Sequence, residues 1–286
     1  MTESRQPISD TGRHRGAVAG TALAEQAVVA RVLSAIAGLL VVVSTTAGLF
    51  VSDFYRLVDP ALLPGTYGQD WMSLALVPIL GWAMRSAMRE SLHARVIWLG
   101  LLVYYTYGYA LYAFGPQYTP LYPLYVAILG LSVFAAVDLS RSLDVDACSR
   151  RLRDRLPARG IIALFAAIVV FLTPVWIAMM LSAIRHGTPS LFATVHVLDL
   201  AFVFPVLGAT AVGLWRRRRW SYAAVGPLLV LSATMMGSLV VSEAIAALRF
   251  TPDPLPLAFV FALIALVSTI LTLVCTRALT VAHSVV

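Results

Sequence analysis

The stretch that decides the fold is Gly160 to Ile184, GIIALFAAIVVFLTPVWIAMMLSAI, which contains no charged residue. A transmembrane helix needs about 20 consecutive apolar residues to cross the hydrocarbon core of a bilayer. The whole chain is 60% hydrophobic and only 12% charged, which is about half the charged share of a soluble domain. We therefore predict an all-α, polytopic transmembrane helical bundle.

Working outward from this stretch, other apolar runs of similar length lie along the chain and are separated by short polar segments. The sequence predicts eight spans, at 32–53, 71–88, 95–114, 120–139, 160–184, 192–215, 221–248 and 256–276. Residues 1–30 are polar and contain scattered arginines, and they are expected to form a flexible cytoplasmic tail. A signal peptide is the alternative, but the first apolar run begins late and lacks a small-residue cleavage pattern.

The second half of the chain resembles the first. Asp70 precedes Pro78-Ile-Leu-Gly81, and Asp199 precedes Pro205-Val-Leu-Gly208 at a similar distance. We predict a parallel 4+4 internal repeat, in which 31–139 and 160–286 are four-helix units joined by the basic linker 140–159. Such repeats often bind ligands at their interface, and paired proline interruptions indicate the binding region. The alternative is that hydrophobic helices are alike by composition alone.

The basic residues predict the orientation. All 21 are arginines, and with the N-terminus in the cytoplasm only three fall on the outer side, namely Arg56, Arg185 and Arg249. Cytoplasmic loops carry such an excess, so both termini are predicted to be cytoplasmic and the protein to lie in the cytoplasmic membrane. The arginine-rich segment 150–155 is typical of contact with anionic lipid head groups, and nucleic acid is not an expected partner.

The sequence offers little for metal or cofactor chemistry. Cys148 and Cys275 have neither a disulfide framework nor metal-ligand spacing. The chain contains no lysine, which excludes Schiff-base chemistry and a retinal-type photoreceptor. Only His196 lies inside a predicted span, so paired histidine ligation of haem is not available. We expect no cofactor and no metal.

Ionisable residues inside the predicted spans are the first candidate ligand-binding residues, because a charge in the membrane is costly and usually faces a cavity. Three of them, His196, Asp199 and Glu243, lie within spans toward the predicted outer face. His196 and Asp199 are three residues apart and share a helical face, so they are expected to bind a polar group, to relay protons or to form a structural hydrogen-bonded pair. Glu243 is near a helix end and could instead extend to the surface.

Asp70 and the tyrosines of the third span complete the candidate ligand-binding set. Asp70 either caps the start of its helix or, as the counterpart of Asp199, binds a ligand. Tyr105 and Tyr109 share a face of a tyrosine-rich helix, and part of this richness belongs to the interfacial aromatic belt. Tyr104, Tyr105 and Tyr107 lie deeper, where each hydroxyl needs a partner.

Several segments also resemble a family of bacterial multi-pass, eight-span membrane proteins. The segments are Gly68-Gln-Asp-Trp71, Tyr107 to Gly115, Pro120 to Tyr125 and His196 to Pro205. To our knowledge this family has no assigned activity, so the resemblance implies a topology and adds no chemistry.

Three functions remain open at this point. The first is a carrier or channel for a small molecule, with an outward-facing acidic and aromatic pocket. The second is a membrane-embedded, metal-free enzyme that applies carboxylate acid–base chemistry to a lipophilic substrate, similar in kind to membrane-bound terpene cyclases. The third is a scaffold without turnover.

Overall fold

The computed structural model describes residues 11–89, 91–250 and 256–280, with side chains from residue 28 to residue 280 apart from 90 and 251–257. These residues form an all-α structure and contain no strand. Its α-helices are α1 (Thr11–Phe50), α2 (Leu63–Ala87), α3 (Leu92–Phe114), α4 (Tyr122–Arg141), α5 (Val145–Leu152), α6 (Ala158–His186), α7 (Ala193–Leu198), α8 (Phe204–Trp215), α9 (Arg219–Arg249) and α10 (Pro256–Thr280).

Seven helical segments in the described ranges are long and apolar enough to cross a membrane. The helix α2 is not among them, although its 25 residues would extend about 37 Å at 1.5 Å per residue. Polar side chains interrupt its apolar sequence, and those of Thr66, Gln69, Asp70 and Ser73 are buried. The sequence therefore correctly predicts a multi-pass helical bundle.

Two helices form the centre of the bundle. The helix α3 is the most buried of the seven candidate spans, and α9 comes next. They pack against each other, and α2 packs against both. Around them, α4 lies beside α3 and α1, α10 lies beside α9, and α6 lies beside α8. The least buried spans are α6 and α10.

The helix ends follow local sequence signals. Ser91 accepts a hydrogen bond from the backbone N–H of Ala94 at the start of α3, and Asp144 accepts one from Ala147 at the start of α5. Both are typical N-cap residues. The helix α6 ends at Gly187, whose positive φ of 62° suits a residue without a Cβ.

The boundaries differ from the predicted ones in three places. Residues 1–10 of the predicted tail lie outside the described part of the chain, while residues 11–30 form the first part of the helix α1. The predicted linker 140–159 contains the short helix α5, which packs against α9 and α10. The predicted sixth span, 192–215, is a composite of α7, a π-helical turn at Asp199–Val203 and α8.

Candidate functional site

The most enclosed candidate ligand site in the described residues is a cavity of about 320 Å³ toward one end of the bundle. We call it the Asp199 cavity. Its walls come from α3, α6, α8 and α9, and residues of the three segments 61–66, 115–117 and 191–195 line it at that end. Most of the wall is apolar or aromatic, including Leu172, Met235 and Phe261. Drug-sized ligands occupy cavities of roughly 300–1,000 Å³ with few polar groups, so the size suits a small molecule.

The carboxyl group of Asp199 is the charged group in the cavity wall. The Tyr107 hydroxyl donates to its Oδ1 at 2.8 Å, and the Trp176 indole N–H donates to its Oδ2 at 2.8 Å. An indole N–H can only donate, so Oδ2 must accept. Asp199 is 8% exposed. The two donors stabilise the ionised form because charge-assisted hydrogen bonds are stronger than neutral ones.

The backbone around Asp199 is irregular. Asp199 begins a π-helical turn, and the N–H of Phe204 donates to the carbonyl oxygen of Asp199 five residues earlier. Pro205 follows directly, has no N–H, and would clash with the carbonyl of Ala201 in a regular α-helix. π-Turns of this kind are frequent at functional sites. The wider turn therefore explains how Pro205 is accommodated beside the buried carboxylate.

No basic side chain in the described ranges forms an ion pair with Asp199. The one ion pair between described side chains joins Arg219 and Asp146 at 3.1 Å, and both are exposed. Of the described residues that form the cavity wall, none is an arginine or a histidine. The Asp199 carboxyl group thus has two neutral donors and no countercharge in this part of the chain.

His196 does not form the hydrogen bond with Asp199 that the spacing suggested. Both ring nitrogens are buried without a hydrogen-bond partner among the described residues. The imidazole ring instead packs on Trp176, with ring centroids 5.1 Å apart. Trp176 therefore separates the two groups, and His196 lies beside a second, shallower pocket formed with Gly187–Ser190 and the end of α6.

Asp70 does not cap a helix, because α2 begins seven residues earlier at Leu63. Its carboxyl is 2% exposed and accepts from the Tyr55 hydroxyl at Oδ2. Burial raises the pKa of Tyr55 above its ordinary value, so this hydroxyl stays protonated and can donate. Asp70 is not part of the cavity wall.

A second tyrosine also contacts Asp70. The Tyr112 hydroxyl donates to the Thr66 carbonyl oxygen at 2.9 Å and to Asp70 Oδ1 at 3.1 Å. Its single proton is shared between these two acceptors. It therefore stabilises an ionised Asp70 less than an unshared donor would, and the two matched aspartates differ in their hydrogen bonding.

The remaining predicted site residues lie outside the cavity wall. The Tyr105 hydroxyl donates to the Ser73 carbonyl at 3.0 Å, and the Tyr109 hydroxyl lies 3.0 Å from Ser44 Oγ. Both tyrosines are buried in the helix core. Glu243 is partly buried, and its Oε2 has no partner among the described residues. Of the six predicted residues, only Asp199 lies in the wall.

The sequence prediction omitted two residues that contact the carboxylate, Trp176 and Tyr107. Tyr107 belongs to the group of deep tyrosines that were expected to need partners, and Asp199 is its partner. Trp176 carried a signal as well, since it lies deep in a span and away from the interface where indole rings are common. A buried indole N–H usually finds an acceptor.

Metal binding has no visible basis in the described residues, because no three His, Cys, Asp or Glu side chains converge there. Burial raises the pKa of the Cys148 thiol to about 12, so this thiol stays protonated at neutral pH.

No protein family, curated protein or solved structure matches the chain. The resemblance to bacterial multi-pass proteins therefore gives no family assignment, and the function must be argued from the cavity itself.

Proposed function

We propose that this chain is a carrier for a small, mostly lipophilic molecule, which binds in the Asp199 cavity with its polar end on the carboxylate. The single observation that carries the proposal is the buried Asp199 carboxylate in an otherwise largely apolar cavity. A buried charge is costly unless it is paired or solvated. A ligand that donates to Asp199 would stabilise it while its apolar part contacts Leu172, Met235 and Phe261.

The closed inner end of the cavity favours a carrier over a channel. Phe204, Leu207 and Leu231 line that end, and each is at most 5% exposed. A channel needs a continuous path between both ends of the bundle, whereas a carrier exposes its site to one side at a time.

We further propose eight spans in the cytoplasmic membrane, with α2 as the eighth. The helix α2 packs between α1, α3 and α9, so its polar side chains are shielded from lipid. The proposed repeat is supported by equivalent pairings. The helix α1 packs on α2 as α6 packs on α8, and α3 packs on α4 as α9 packs on α10.

Contacts at the opposite end of the bundle support the proposed orientation. Arg151 donates to the Leu279 carbonyl at 2.6 Å, Arg219 pairs with Asp146, and Arg95 donates to the Ser142 carbonyl. These contacts join distant parts of the chain, and each of them involves an arginine. In the proposed orientation this end is cytoplasmic, and the Asp199 cavity is toward the outside.

The first test is ligand binding by the protein in lipid nanodiscs. The probe is 1-aminoanthracene, a neutral aromatic molecule whose fluorescence rises in apolar cavities and whose amino group can donate to Asp199. We expect a saturable increase above that of empty nanodiscs, and a large loss of it in Leu207→Trp, which fills the inner end of the cavity. Asp70→Asn is the matched carboxyl control and should bind as the wild type does. Fluorescence equal to that of empty nanodiscs would contradict the proposal.

The second test is transport in proteoliposomes. Two labelled probes share an indole ring and a short side chain, namely tryptamine, which is a cation at neutral pH, and indole-3-acetamide, which is neutral. We expect protein-dependent uptake of at least one probe, and its loss in Asp199→Asn at equal reconstitution. If neither probe enters faster than in protein-free liposomes, the protein is not a carrier of this class.

A further inference from the structure

We propose that the ligand of the Asp199 cavity is a lipophilic monocation, such as a protonated amine, and that it enters from the bilayer through a cleft between α6 and α10. This inference rests on the proposed function, because it names the ligand class and the access route of the same cavity. It is carried by the packing of the two helices and by the charge in the cavity wall.

The cleft results from incomplete packing of α6 and α10. In α6 the buried side chains are Ile161, Phe165 and Ile168, all in its first half. In α10 the buried side chains of the described part begin at Ser268 and continue to Leu279. Because the two helices run in opposite directions, their buried parts lie at the same end of the bundle. Toward the other end the described side chains of both helices are only partly buried or are exposed.

The corresponding pair in the first half of the chain is closed. Buried residues recur along the whole of α4, from Tyr125 to Leu139, and along α1, from Ala30 to Gly48. These two helices pack along each other, whereas α6 and α10 meet at few positions. The open seam is therefore specific to the half of the chain that contains Asp199.

The described residues beside this seam also line the Asp199 cavity. They are Leu172 and Trp176 of α6, Phe261 of α10, and Met235 and Leu239 of α9. Close to them in the chain, Phe171 and Phe259 are 72% and 78% exposed, which suits contact with hydrocarbon. An apolar molecule dissolved in the bilayer would therefore meet apolar side chains of α6 and α10 on its way to Asp199.

The carboxyl group and the aromatic rings in the wall of the Asp199 cavity favour a cation as the ligand. The Asp199 carboxyl accepts from Trp176 and Tyr107, and no described arginine or histidine lies in the wall, so a bound cation would stabilise its ionised form. Aromatic faces in the same wall, including Phe192 and Phe261, can also attract a cation. An anion would be repelled, and a neutral donor would form a hydrogen bond without the ionic attraction.

The ligand class is tested by displacement of 1-aminoanthracene in nanodiscs at pH 7. We expect tryptamine to displace it at a concentration about tenfold lower than indole-3-acetamide does. This preference should fall to within about twofold in Asp199→Asn and persist in Asp70→Asn. Equal displacement by both compounds would overturn the assignment of a cation while leaving the carrier proposal intact. Failure of 1-aminoanthracene to bind at all would instead contradict the proposed function and this inference with it.

The access route is tested by binding kinetics. Leu172→Trp narrows the cleft, and Val170→Trp adds the same side chain to a position that is 65% exposed on α6. We expect Leu172→Trp to slow association of tryptamine about fivefold or more and to slow dissociation in the same direction. Val170→Trp should match the wild type.

Two outcomes of the kinetic test would overturn the lateral route. Unchanged rates in Leu172→Trp would mean that ligands enter elsewhere, and a weaker Kd with unchanged association would mean that the tryptophan only fills the cavity. Leu172→Phe is the milder variant to use if Leu172→Trp reconstitutes poorly, and it should slow both rates in the same direction.

Discussion

The surroundings of Asp70 and Asp199 differ, although the two residues occupy matched places in the two halves of the sequence. Asp70 is enclosed by α1, α2 and α3, where tyrosines fill the interior and leave no cavity at its carboxyl. Asp199 lies on a π-turn beside a cavity of about 320 Å³. The difference indicates that the first half encloses its aspartate in the core, whereas Asp199 of the second half lies at a cavity that both halves line.

The charge states of the two aspartates follow from the number of available protons. Around Asp199 both partners can donate, which stabilises a carboxylate. Around Asp70 the Tyr112 proton is shared with a backbone carbonyl, which favours a neutral acid. A neutral acid in a closed core is a structural group, whereas a carboxyl group at a cavity, with no countercharge among the described residues, suits the proposed binding of a ligand.

The largest expected effect is on protein stability and concerns the first half of the chain, 31–139, which encloses Asp70 and which we call the closed half. Gly48 of α1 lies directly against the Tyr55 hydroxyl and Asp70 Oδ2, and a Cβ there would overlap both. We expect Gly48→Ala to destabilise the protein by about 3 kcal/mol, the upper part of the range for overpacking, measured from the unfolding midpoint in detergent. Gly81→Ala is the matched control, because its Cβ would meet no neighbour within 4 Å. Equal stability of both variants would contradict the tight packing around Asp70.

The next largest effect, also on stability, tests whether Asp70 is neutral or ionised. Asp70→Ala leaves the Tyr55 hydroxyl without its acceptor, whereas Tyr112 keeps the Thr66 carbonyl, and we expect a loss of about 2 kcal/mol in unfolding free energy. Asp70→Asn can still accept from Tyr55 through its amide oxygen, so its loss should be below about 1 kcal/mol. If Asn is as damaging as Ala, Asp70 is ionised and the contrast with Asp199 is wrong.

A smaller effect, on ligand affinity, is expected at Trp176, which donates a hydrogen bond to Asp199. Trp176→Phe removes the indole N–H but keeps a ring against His196. We expect tryptamine to bind about fivefold more weakly, which corresponds to about 1 kcal/mol for one hydrogen bond. Trp98→Phe removes a comparable bond, to Ser34 Oγ at 2.9 Å in the closed half, and should not change tryptamine binding. Similar losses in both variants would indicate a general effect of packing.

The sequence predicts the bundle better than the site, for physical reasons. Apolar runs such as 160–184 determine membrane helices locally, and a charged residue in a span, such as Asp199, is already a candidate ligand-binding group. The partners of Asp199 come from α3 and α6, and which helices meet depends on packing that no local pattern encodes. The predicted pairing of His196 with Asp199 assumed a regular α-helix. In the structure the hydrogen-bond partners of Asp199 are Tyr107 and Trp176, and Trp176 lies between the two groups.

The smallest expected effect concerns the tyrosines that were predicted as ligand-binding residues. Tyr109→Phe removes a hydroxyl that lies 3.0 Å from Ser44 Oγ within the closed half. Because this hydroxyl is outside the cavity wall, we expect tryptamine affinity to stay within about twofold of the wild type, with a loss of about 1 kcal/mol in unfolding free energy. Tyr107→Phe is the matched variant on the same helix, and it should weaken tryptamine binding because Tyr107 donates to Asp199. A binding loss in Tyr109→Phe as large as that in Tyr107→Phe would restore Tyr109 to the site and would require the ligand to reach beyond the Asp199 cavity into the tyrosine core.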